Sequence, residues 1–369
     1  MQSHWLAPGA DCMNDFCRRF EMNIPVVLAP MGGGPSTPEL TAAVSNAGGL
    51  GSLAAAYSSP EKITEDIAKI RTLTKRPFIV NLFSPAAQEP LHGDVEAVSK
   101  FLSSFHQRLG LPAPQLPSKT IEDFEKQIDA ICTSKPAAVS FTFGLLPAKT
   151  MQRLKAAEIF VIGTATTVDE ARQLEHARVD AIVAQGGEAG AHRGTFAVRA
   201  EQALIGTVAL VPQVLDAVGV PVIASGGIMD GRGITAALAL GASAVQMGTA
   251  FLAAKEAGTS PAYREALLKA HEDQTTVTRA FSGRMARGIQ NEFITKWNQS
   301  GLTNLSYPWQ NAFTQQMRRA ASAANDPGLL SLWAGQGVGL IREGSAAELI
   351  SRWREEMKSV LQNLTRNAE

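Results

Sequence analysis

A glycine-rich segment that carries a single histidine offers the clearest chemistry in the sequence. The apolar run Ala181-Ile-Val-Ala leads into Gln185, glycines follow at positions 186, 187, 190 and 194, and His192 lies between the last two. Imidazole titrates near neutral pH, so histidine is a common acid–base group in enzymes. Glycines permit positive φ or the close approach of a ligand. The segment therefore predicts either an active-site loop or a flexible turn with a solvated histidine.

Two charged residues flank this histidine in sequence. Glu188 lies four residues before it, where its carboxylate either orients the imidazole or is solvated. Arg193 follows it directly and either holds an anionic substrate or forms a salt bridge with a later part of the chain. The other histidines fall in the N-terminal segment, a long loop or predicted helices, and we expect surface or packing roles for them: His4, His92, His106, His176 and His271.

Glycines also follow three other apolar runs. The segments are Met31-Gly-Gly-Gly34, Gly226-Gly227 and Met247-Gly248-Thr249. Backbone N–H groups left open there, together with the N-terminus of the helix that follows, would form an anion site suited to a phosphate. The alternative is that these glycines serve only to permit tight turns.

Three amide side chains lie at or near the ends of predicted strands, namely Asn81, Gln185 and Gln246. An amide both donates and accepts hydrogen bonds, so these side chains suit the edge of a flavin or nucleobase, or else they satisfy backbone groups within the fold. No group of His, Cys, Asp and Glu has the spacing of metal ligands, so no metal is expected. The sequence has neither a Gly-x-Ser-x-Gly elbow nor a P-loop.

Eight short apolar runs alternate with helix-like segments. Continuous apolar runs indicate strands buried on both faces, which is typical of a parallel sheet. Thr37, Ser59, Thr120 and Thr167 predict helix starts, and Gly241 predicts a helix end. This alternation predicts an α/β fold of the (β/α)8 TIM-barrel type, in which functional groups gather at the carboxyl ends of the strands. The predicted strands are 24–29, 50–54, 77–82, 138–143, 159–164, 181–185, 221–225 and 244–248.

The pattern changes after residue 254. We expect a barrel over residues 1–254, a smaller and mostly helical cap over 255–326, and a C-terminal segment over 327–369 that packs back on the barrel. An amphipathic helix is predicted within 345–364. The proline-dotted connection over 83–119 is expected to cover the end of the third strand. Four aromatic residues are expected to form the cap core: Trp297, Tyr307, Trp309 and Phe313.

The composition argues against nucleic-acid and membrane partners. Lysine plus arginine and aspartate plus glutamate both number 34, so there is no basic surplus for an anionic surface. The uncharged run 233–254 contains Gly241 and is predicted to be a buried helix–strand pair rather than a membrane span. The N-terminal segment lacks the order of a secretory signal, and cysteines 12, 17 and 132 lack disulfide or zinc spacing. A cytoplasmic monomer or homodimer is expected.

With these residues in view, the chain resembles class I nitronate monooxygenases, FMN-dependent barrel enzymes formerly called 2-nitropropane dioxygenases. The His192 loop is the specific motif, whereas the Ser-Gly-Gly-Ile and Met-Gly-Thr pair is shared with flavin reductases and IMP-dehydrogenase-like barrels. The similar segments are Ala29-Pro-Met-Gly-Gly, Asn46-Ala-Gly-Gly-Leu-Gly51, Val80-Asn-Leu-Phe, Ser140-Phe-Thr-Phe-Gly, Gln185-Gly-Gly-Glu-Ala-Gly-Ala-His-Arg-Gly, Ala224-Ser-Gly-Gly-Ile, Gln246-Met-Gly-Thr, Phe281-Ser-Gly-Arg-Met-Ala-Arg-Gly-Ile-Gln-Asn291 and Trp333-Ala-Gly-Gln-Gly.

The resemblance implies oxidative denitrification of a nitronate, with propionate 3-nitronate as the class I substrate. FMN takes one electron from the nitronate, and dioxygen reacts with the resulting radical pair to give a carbonyl compound and nitrite. His192 is implied as the catalytic histidine; it would remove the α-proton of a neutral nitroalkane, or act by position or charge on a ready-made nitronate. The implied FMN contacts are Met31, Gly32, Gly33, Asn81, Gln185, Gly190, Gly226, Gly227, Gln246, Met247, Gly248 and Thr249.

Two other functions remain open from the sequence. One is an FMN barrel reductase of the enoyl or quinone type that takes electrons from NAD(P)H. The other is a barrel that binds a phosphate-bearing ligand and catalyses nothing. An IMP-dehydrogenase-like reaction needs a nucleophilic cysteine in a loop at the barrel end, and Cys132 lies in a predicted helix, which argues against it.

Overall fold

The computed structural model describes residues 14–368, so the predictions on His4 and Cys12 lie outside the described residues. Within that range the strands are β1 Val26–Leu28, β2 Gly51–Ala54, β3 Phe78–Phe83, β4 Ala138–Thr142, β5 Phe160–Ala165, β6 Ala181–Gln185, β7 Ala191–His192, β8 Val222–Ser225, β9 Ala244–Met247, β10 Thr275–Thr278 and β11 Ala286–Ile289. The helices are α1 Asp15–Arg19, α2 Pro38–Asn46, α3 Pro60–Leu73, α4 Val95–Arg108, α5 Phe124–Ser134, α6 Ala148–Ala156, α7 Val168–His176, α8 Thr207–Leu215, α9 Gly231–Ala239, α10 Pro261–Lys269, α11 Glu292–Ser300, α12 Trp309–Phe313, α13 Gln315–Ala323 and α14 Ala346–Ala368.

Eight parallel strands form the barrel, in the order β1-β9-β8-β6-β5-β4-β3-β2. The two ends of this order meet through Leu50, whose backbone donates to Val26 O and accepts from Leu28 N, both at 2.9 Å. All eight predicted strands are present, and the predicted (β/α)8 barrel is confirmed. Its strands are apolar on both faces because one face packs on the helices and the other fills the barrel interior.

Capping side chains start most of the predicted helices. Thr37 accepts a hydrogen bond from Leu40 N at the start of α2, and Ser59 and Thr167 cap α3 and α7 in the same way. The start predicted at Thr120 is wrong, because α5 begins at Phe124 and Asp123 is its N-cap. An aspartate carboxylate supplied the cap that we had assigned to a threonine hydroxyl three residues earlier.

A second, three-stranded antiparallel sheet joins the barrel to the cap. Strands β10 and β11 form a hairpin in the cap, and β11 pairs with β7, which lies in the loop after β6. These three strands were not predicted from the sequence. They are short and partly polar, so they carry little of the apolar signal that marks the barrel strands.

The cap core contains two of the four expected aromatic residues together with part of the long connection after β3, whereas Trp309 is only partly buried against it and Tyr307 packs on Phe143 in a separate cluster. Trp297 and Phe313 are buried in one cluster with Leu102 and Phe105 of α4. The connection also contacts the cap directly, since Glu89 N donates to Tyr307 O at 3.1 Å. The connection therefore contains a helix and belongs to the cap wall above the barrel.

The C-terminal helix α14 packs on the barrel. Leu349 and Trp353 are buried in the barrel core, and the Trp353 ring lies 4.9 Å from that of Phe251. The uncharged run after Gly233 is the predicted pair, α9 followed by β9. Among residues 14–368 no helix is long and apolar enough to cross a membrane.

Candidate active site

A deep cavity of about 580 Å³ opens between the carboxyl ends of the strands and the cap. Ligand sites typically enclose about 300–1,000 Å³. Met247 is the one predicted cofactor contact that does not line the cavity, because its side chain is only 1% exposed and packs in the barrel core. The structure brings the other predicted residues together around it: Met31, Gly32, Gly33, Asn81, Gln185, Gly190, His192, Gly226, Gly227, Gln246, Gly248 and Thr249.

His192 is held at the cavity wall by a strand that pairs with the cap. It lies opposite Ala286 of β11, and Arg193 N donates to Met285 O at 2.9 Å. Ala191 before it has φ 60°, in the left-handed region. Three rings surround the imidazole, with centroid distances of 5.6 Å to Trp333, 5.9 Å to Phe143 and 6.0 Å to Tyr307.

The hydrogen bonds of Ser282 determine which imidazole nitrogen carries the proton. The Ser282 hydroxyl donates to Arg284 O at 3.0 Å, so it must accept at the 2.8 Å contact with His192 Nε2. The proton therefore lies on Nε2, and Nδ1 keeps its lone pair. Nδ1 makes no hydrogen bond within residues 14–368, so it is the nitrogen available to a ligand in the cavity.

The surroundings of His192 keep its ring neutral. Burial lowers the pKa of His192 to about 3, and the positive charges of Arg284 and Arg318 act in the same direction. The Arg284 guanidinium carbon lies 4.0 Å from the centre of the Phe143 ring, and it is this ring, not Arg284, that lines the cavity. An imidazole with so low a pKa is a weak proton acceptor, whereas the two positive charges favour a bound anion.

Gln185 and Arg193 hold the loop that carries His192. Gln185 Nε2 donates to His192 O at 3.1 Å, and its Oε1 accepts from Gly194 N at 2.8 Å. The Arg193 guanidinium donates to the carbonyl oxygens of Gln185 and Gly186. Both sequence-based roles for Arg193 are therefore wrong, because this buried side chain satisfies backbone carbonyls and reaches neither the cavity nor a carboxylate of the cap.

Glu188 does not orient His192. Its carboxylate accepts from Thr207 N at 2.9 and 3.0 Å, which caps the start of α8. The Thr207 hydroxyl lies 2.8 Å from Glu188 Oε2 and 3.0 Å from Gly226 O. Glu188 thus ties the histidine loop to the glycine turn that follows β8.

A second carboxylate, Glu170, fixes the segment after the histidine and was not found from the sequence. It is fully buried and accepts from Thr195 Oγ1 at 2.6 Å, Phe196 N at 2.6 Å and Ala197 N at 3.0 Å. Burial alone would raise its pKa, but the hydrogen bonds from Thr166 and Thr195 outweigh this and hold the pKa of Glu170 below its usual value. The carboxylate remains charged and anchors the loop end.

The turn after β8 presents a row of open backbone donors. The N–H groups of residues 227–229 make no hydrogen bond within the described part of the chain. Gly226 and Gly227 have φ 120° and 69°, which favours glycine at both positions. Thr249 Oγ1 accepts from Gly335 N at 2.9 Å and keeps its own proton to donate. These groups form an anion cradle of the kind that binds phosphate.

The start of α9 is not part of this cradle, which corrects one expectation. The Asp230 carboxylate accepts from Arg232 N at 2.9 Å and Gly233 N at 3.3 Å. Gly231 N donates to Glu356 Oε2 of α14 at 3.0 Å. Because these carboxylates already occupy the first turn, an anion in the cavity is left with the turn before the helix.

The two remaining amides, Asn81 and Gln246, differ in how far they are used within the fold. Asn81 Nδ2 donates to Ser140 Oγ at 3.0 Å, so this amide is partly used within the barrel. The Gln246 amide lines the cavity and makes no side-chain hydrogen bond within residues 14–368. Gln246 is therefore the amide most available to a bound ring system.

The C-terminal segment supplies site residues that the sequence analysis did not assign. Gly335 and Gly337 line the cavity, and a Cβ on Gly337 would lie 2.6 Å from Met229 Cγ and 3.0 Å from Gly227 O. The glycine spacing within the similar segment at Trp333 was the available signal. Polar side chains of α12 and α13 form the opposite wall and were also missed: Asn311, Gln315, Arg318, Arg319 and Ser322.

A (β/α)8 barrel with a histidine and an anion cradle at one rim is typical of barrel enzymes that bind a phosphate-bearing ligand. The family model for nitronate monooxygenase matches residues 16–356. The chain belongs to the nitronate monooxygenase family, a family of flavin-dependent oxidoreductases acting on small molecules. The resemblance stated from the sequence is confirmed.

Three relatives illustrate the match. A probable nitronate monooxygenase of Staphylococcus aureus (strain Newman) is 40% identical over 350 residues, which are 95% of this chain and 98% of the relative. The nitroalkane oxidase from Streptomyces ansochromogenes has a TM-score of 0.88 at 38% identity and covers 94% of this chain and 99% of its own. FabK from Thermotoga maritima has a TM-score of 0.75 at 31% identity, with coverage of 95% and 98%.

Proposed function

We propose that the protein catalyses the FMN-dependent oxidation of alkyl nitronates by dioxygen to a carbonyl compound and nitrite, with propionate 3-nitronate as the substrate. The observation that carries this proposal is the neutral His192 ring, which lines the cavity within the field of Arg284 and Arg318. The cations favour an anionic substrate over a neutral one. The family membership and the nitroalkane oxidase relative support the reaction type.

The cavity residues fit FMN. The open N–H groups of residues 227–229 and the Thr249 hydroxyl suit the phosphate, and the Gln246 amide suits a polar edge of the ring. Side chains at positions 226 and 227 would be strained by the positive φ, so the sequence keeps the turn open. When bound, FMN supplies the redox chemistry between nitronate and dioxygen.

The role of His192 follows from its protonation state. Its Nδ1 lone pair is available to accept the α-proton of a neutral nitroalkane, but a pKa of about 3 makes this transfer unfavourable. A ready-made nitronate needs no proton removal, so it does not require the Nδ1 lone pair, and the positive charges of Arg284 and Arg318 favour the anion. The site is therefore better suited to nitronates than to nitroalkanes.

A reductase function is the second candidate because FabK shares the fold at 31% identity. The purified holoenzyme should be mixed with propionate 3-nitronate while nitrite and oxygen uptake are measured, and NADH oxidation should be followed in parallel. We expect nitronate-dependent oxygen uptake with nitrite release and slow bleaching of the flavin by NADH under anaerobic conditions. Fast bleaching by NADH without nitrite release would instead assign the protein to the reductases.

Ser282→Ala should separate the two roles of His192. The variant leaves Nε2–H without its acceptor and allows the proton to move to Nδ1, where it blocks the lone pair. Loss of such a bond costs about 1–2 kcal/mol, so we expect kcat/KM for a neutral nitroalkane to fall about 10-fold. Turnover of the nitronate should change by less than about threefold, since no proton is removed.

The comparison needs kcat/KM values for both substrates and a matched control. Ser300→Ala changes an exposed serine at the end of α11, outside the cavity, and should alter neither value. An equal loss on both substrates in Ser282→Ala would argue that Ser282 only supports the local fold.

A further inference from the structure

The cavity wall formed by the cap is polar and positively charged, whereas the wall formed by the barrel rim is mostly glycine. Asn311, Gln315, Arg318, Arg319 and Ser322 line the cavity from α12 and α13. Gln315, Arg318 and Ser322 follow one another at intervals of three and four residues, which places them on one helical face, and Arg319 is adjacent to Arg318. Helix α13 therefore presents a continuous polar stripe to the part of the cavity facing the barrel rim.

Arg318 is anchored without a counterion. Its Nε donates to Thr314 Oγ1 at 3.2 Å, and its Nη2 donates to Asn311 O at 2.6 Å and Asn311 Oδ1 at 2.9 Å. Among the described residues no carboxylate lies within ion-pair distance of Arg318, and Nη1 has no hydrogen-bond partner. Burial lowers the pKa of Arg318 to about 10, so the guanidinium is still charged at neutral pH.

A partly buried cation without a counterion is stabilised when a ligand supplies the negative charge. Arg319 adds a second positive charge on the same stripe, which further favours a negatively charged ligand. The Tyr57 side chain also lines the cavity, and Arg318 lies close enough to lower the pKa of its hydroxyl, although burial raises that pKa overall. The three side chains favour a bound carboxylate over water.

The geometry points to Arg318 as the residue that binds a carboxylate at the far end of the nitronate, so that the enzyme selects dianionic substrates. This inference rests on the proposed function. The free Nη1 edge of a guanidinium held at its other edge suits a carboxylate oxygen. Arg318 and His192 line the same cavity, so a substrate bound there lies between the two residues' walls.

The inference is tested by a pair of substrates that differ only in the carboxylate. Propionate 3-nitronate carries it, and propyl 1-nitronate has a methyl group in its place. In Arg318→Met we expect kcat/KM for propionate 3-nitronate to fall about 10- to 100-fold, mainly through KM, as for the loss of a hydrogen bond to a charged group. For propyl 1-nitronate the value should change by less than about threefold.

Three further variants locate the effect. Arg318→Lys retains the charge and should recover part of the loss. Arg319→Met removes the neighbouring exposed charge and should cost less than Arg318→Met, because solvent screens it. Arg172→Met removes an exposed charge on α7, far from the cavity lining, and should leave both substrates unaffected. An equal or larger loss in Arg319→Met would overturn the assignment to Arg318.

A binding measurement keeps the test independent of turnover and folding. Dissociation constants of 3-nitropropionate and 1-nitropropane are measured from the flavin absorbance of the holoenzyme, after flavin content and Tm have been compared. Arg318→Met should weaken 3-nitropropionate alone. A wild type that oxidises neither nitronate refutes the proposed function, whereas a wild type that oxidises both, with an unchanged substrate ratio in Arg318→Met, refutes this inference only.

Discussion

Gly190→Ala is expected to weaken flavin binding about 10- to 100-fold, as an overpacking cost of about 1–3 kcal/mol predicts. A Cβ at this position would lie 2.6 Å from Ala334 C and 2.6 Å from Gly335 N. Both are backbone atoms, so no side-chain rotation relieves the overlap. The histidine loop and the C-terminal segment would have to separate, and Gly335 N would move away from Thr249 Oγ1 at the cradle.

Flavin titration by fluorescence quenching gives the dissociation constant, and the Tm of the apoprotein reports on the fold. Gly339→Ala is the matched control, because it lies in the same C-terminal segment, its Cβ would meet no atom closer than 3.7 Å, and it does not line the cavity. We expect wild-type affinity for that variant. Wild-type affinity in Gly190→Ala as well would show that the contact between the two segments does not shape the flavin site.

The barrel could be predicted because its signals are local. Each strand is a short apolar run, and the helices begin at residues such as Thr37 and Ser59 whose side chains cap them. Burial on both faces of a parallel strand leaves a pattern that needs no knowledge of the neighbouring strand. The glycine turns at Gly226 and Gly248 follow such strands, so their place at the carboxyl rim was predictable as well.

The small sheet that positions His192 could not be predicted, because its pairing is non-local. His192 lies opposite Ala286, which is 94 residues further along the chain, beyond two barrel strands and the first part of the cap. Strand β10 is polar and partly exposed, so neither period nor composition marks it. The sequence identified the histidine without showing what holds it.

The roles of the charged residues around the histidine were equally beyond sequence reasoning. Glu188 and Arg193 are close to His192 in the chain, yet neither contacts its ring. Glu188 caps the start of α8, and Arg193 donates to backbone carbonyl oxygens. Arg318 is 126 residues away from His192 by number and influences its ionisation through the cavity. The packing of the cap on the barrel decides which charged groups lie near the histidine, and short-range sequence patterns carry no information about that packing.

His192→Asn is expected to lower kcat/KM for neutral nitroalkanes about 100-fold, the lower end of the usual contribution of a general base, because a pKa of about 3 makes His192 a weak base. An amide cannot accept the α-proton, although it can occupy a similar volume and still bond to Ser282. FMN should remain bound, because the cradle at residues 227–229 is not altered. Most of the activity on a ready-made nitronate should persist. Equal turnover of the neutral substrate by the variant would remove His192 from the role of base.

The pH dependence of the same reaction tests the environment of the ring. The neutral imidazole accepts the proton, and burial together with Arg284 and Arg318 lowers the pKa of His192 from 6.5 to about 3. The acid-side loss of kcat/KM for the nitroalkane therefore moves below the usual histidine range, and the profile should be flat between about pH 5 and 8.

The same pKa makes the stability of the fold depend on pH. The unfolded chain binds a proton near pH 6.5 and the folded chain does not, so the stability contributed by the neutral ring is complete above pH 6.5 and is lost as the pH falls toward 3. Between pH 6.5 and pH 3 the Tm of the wild type should fall more steeply than that of His192→Asn. A tenfold loss of kcat/KM per pH unit below 6.5 would instead show that the ring is solvated and has the usual histidine pKa.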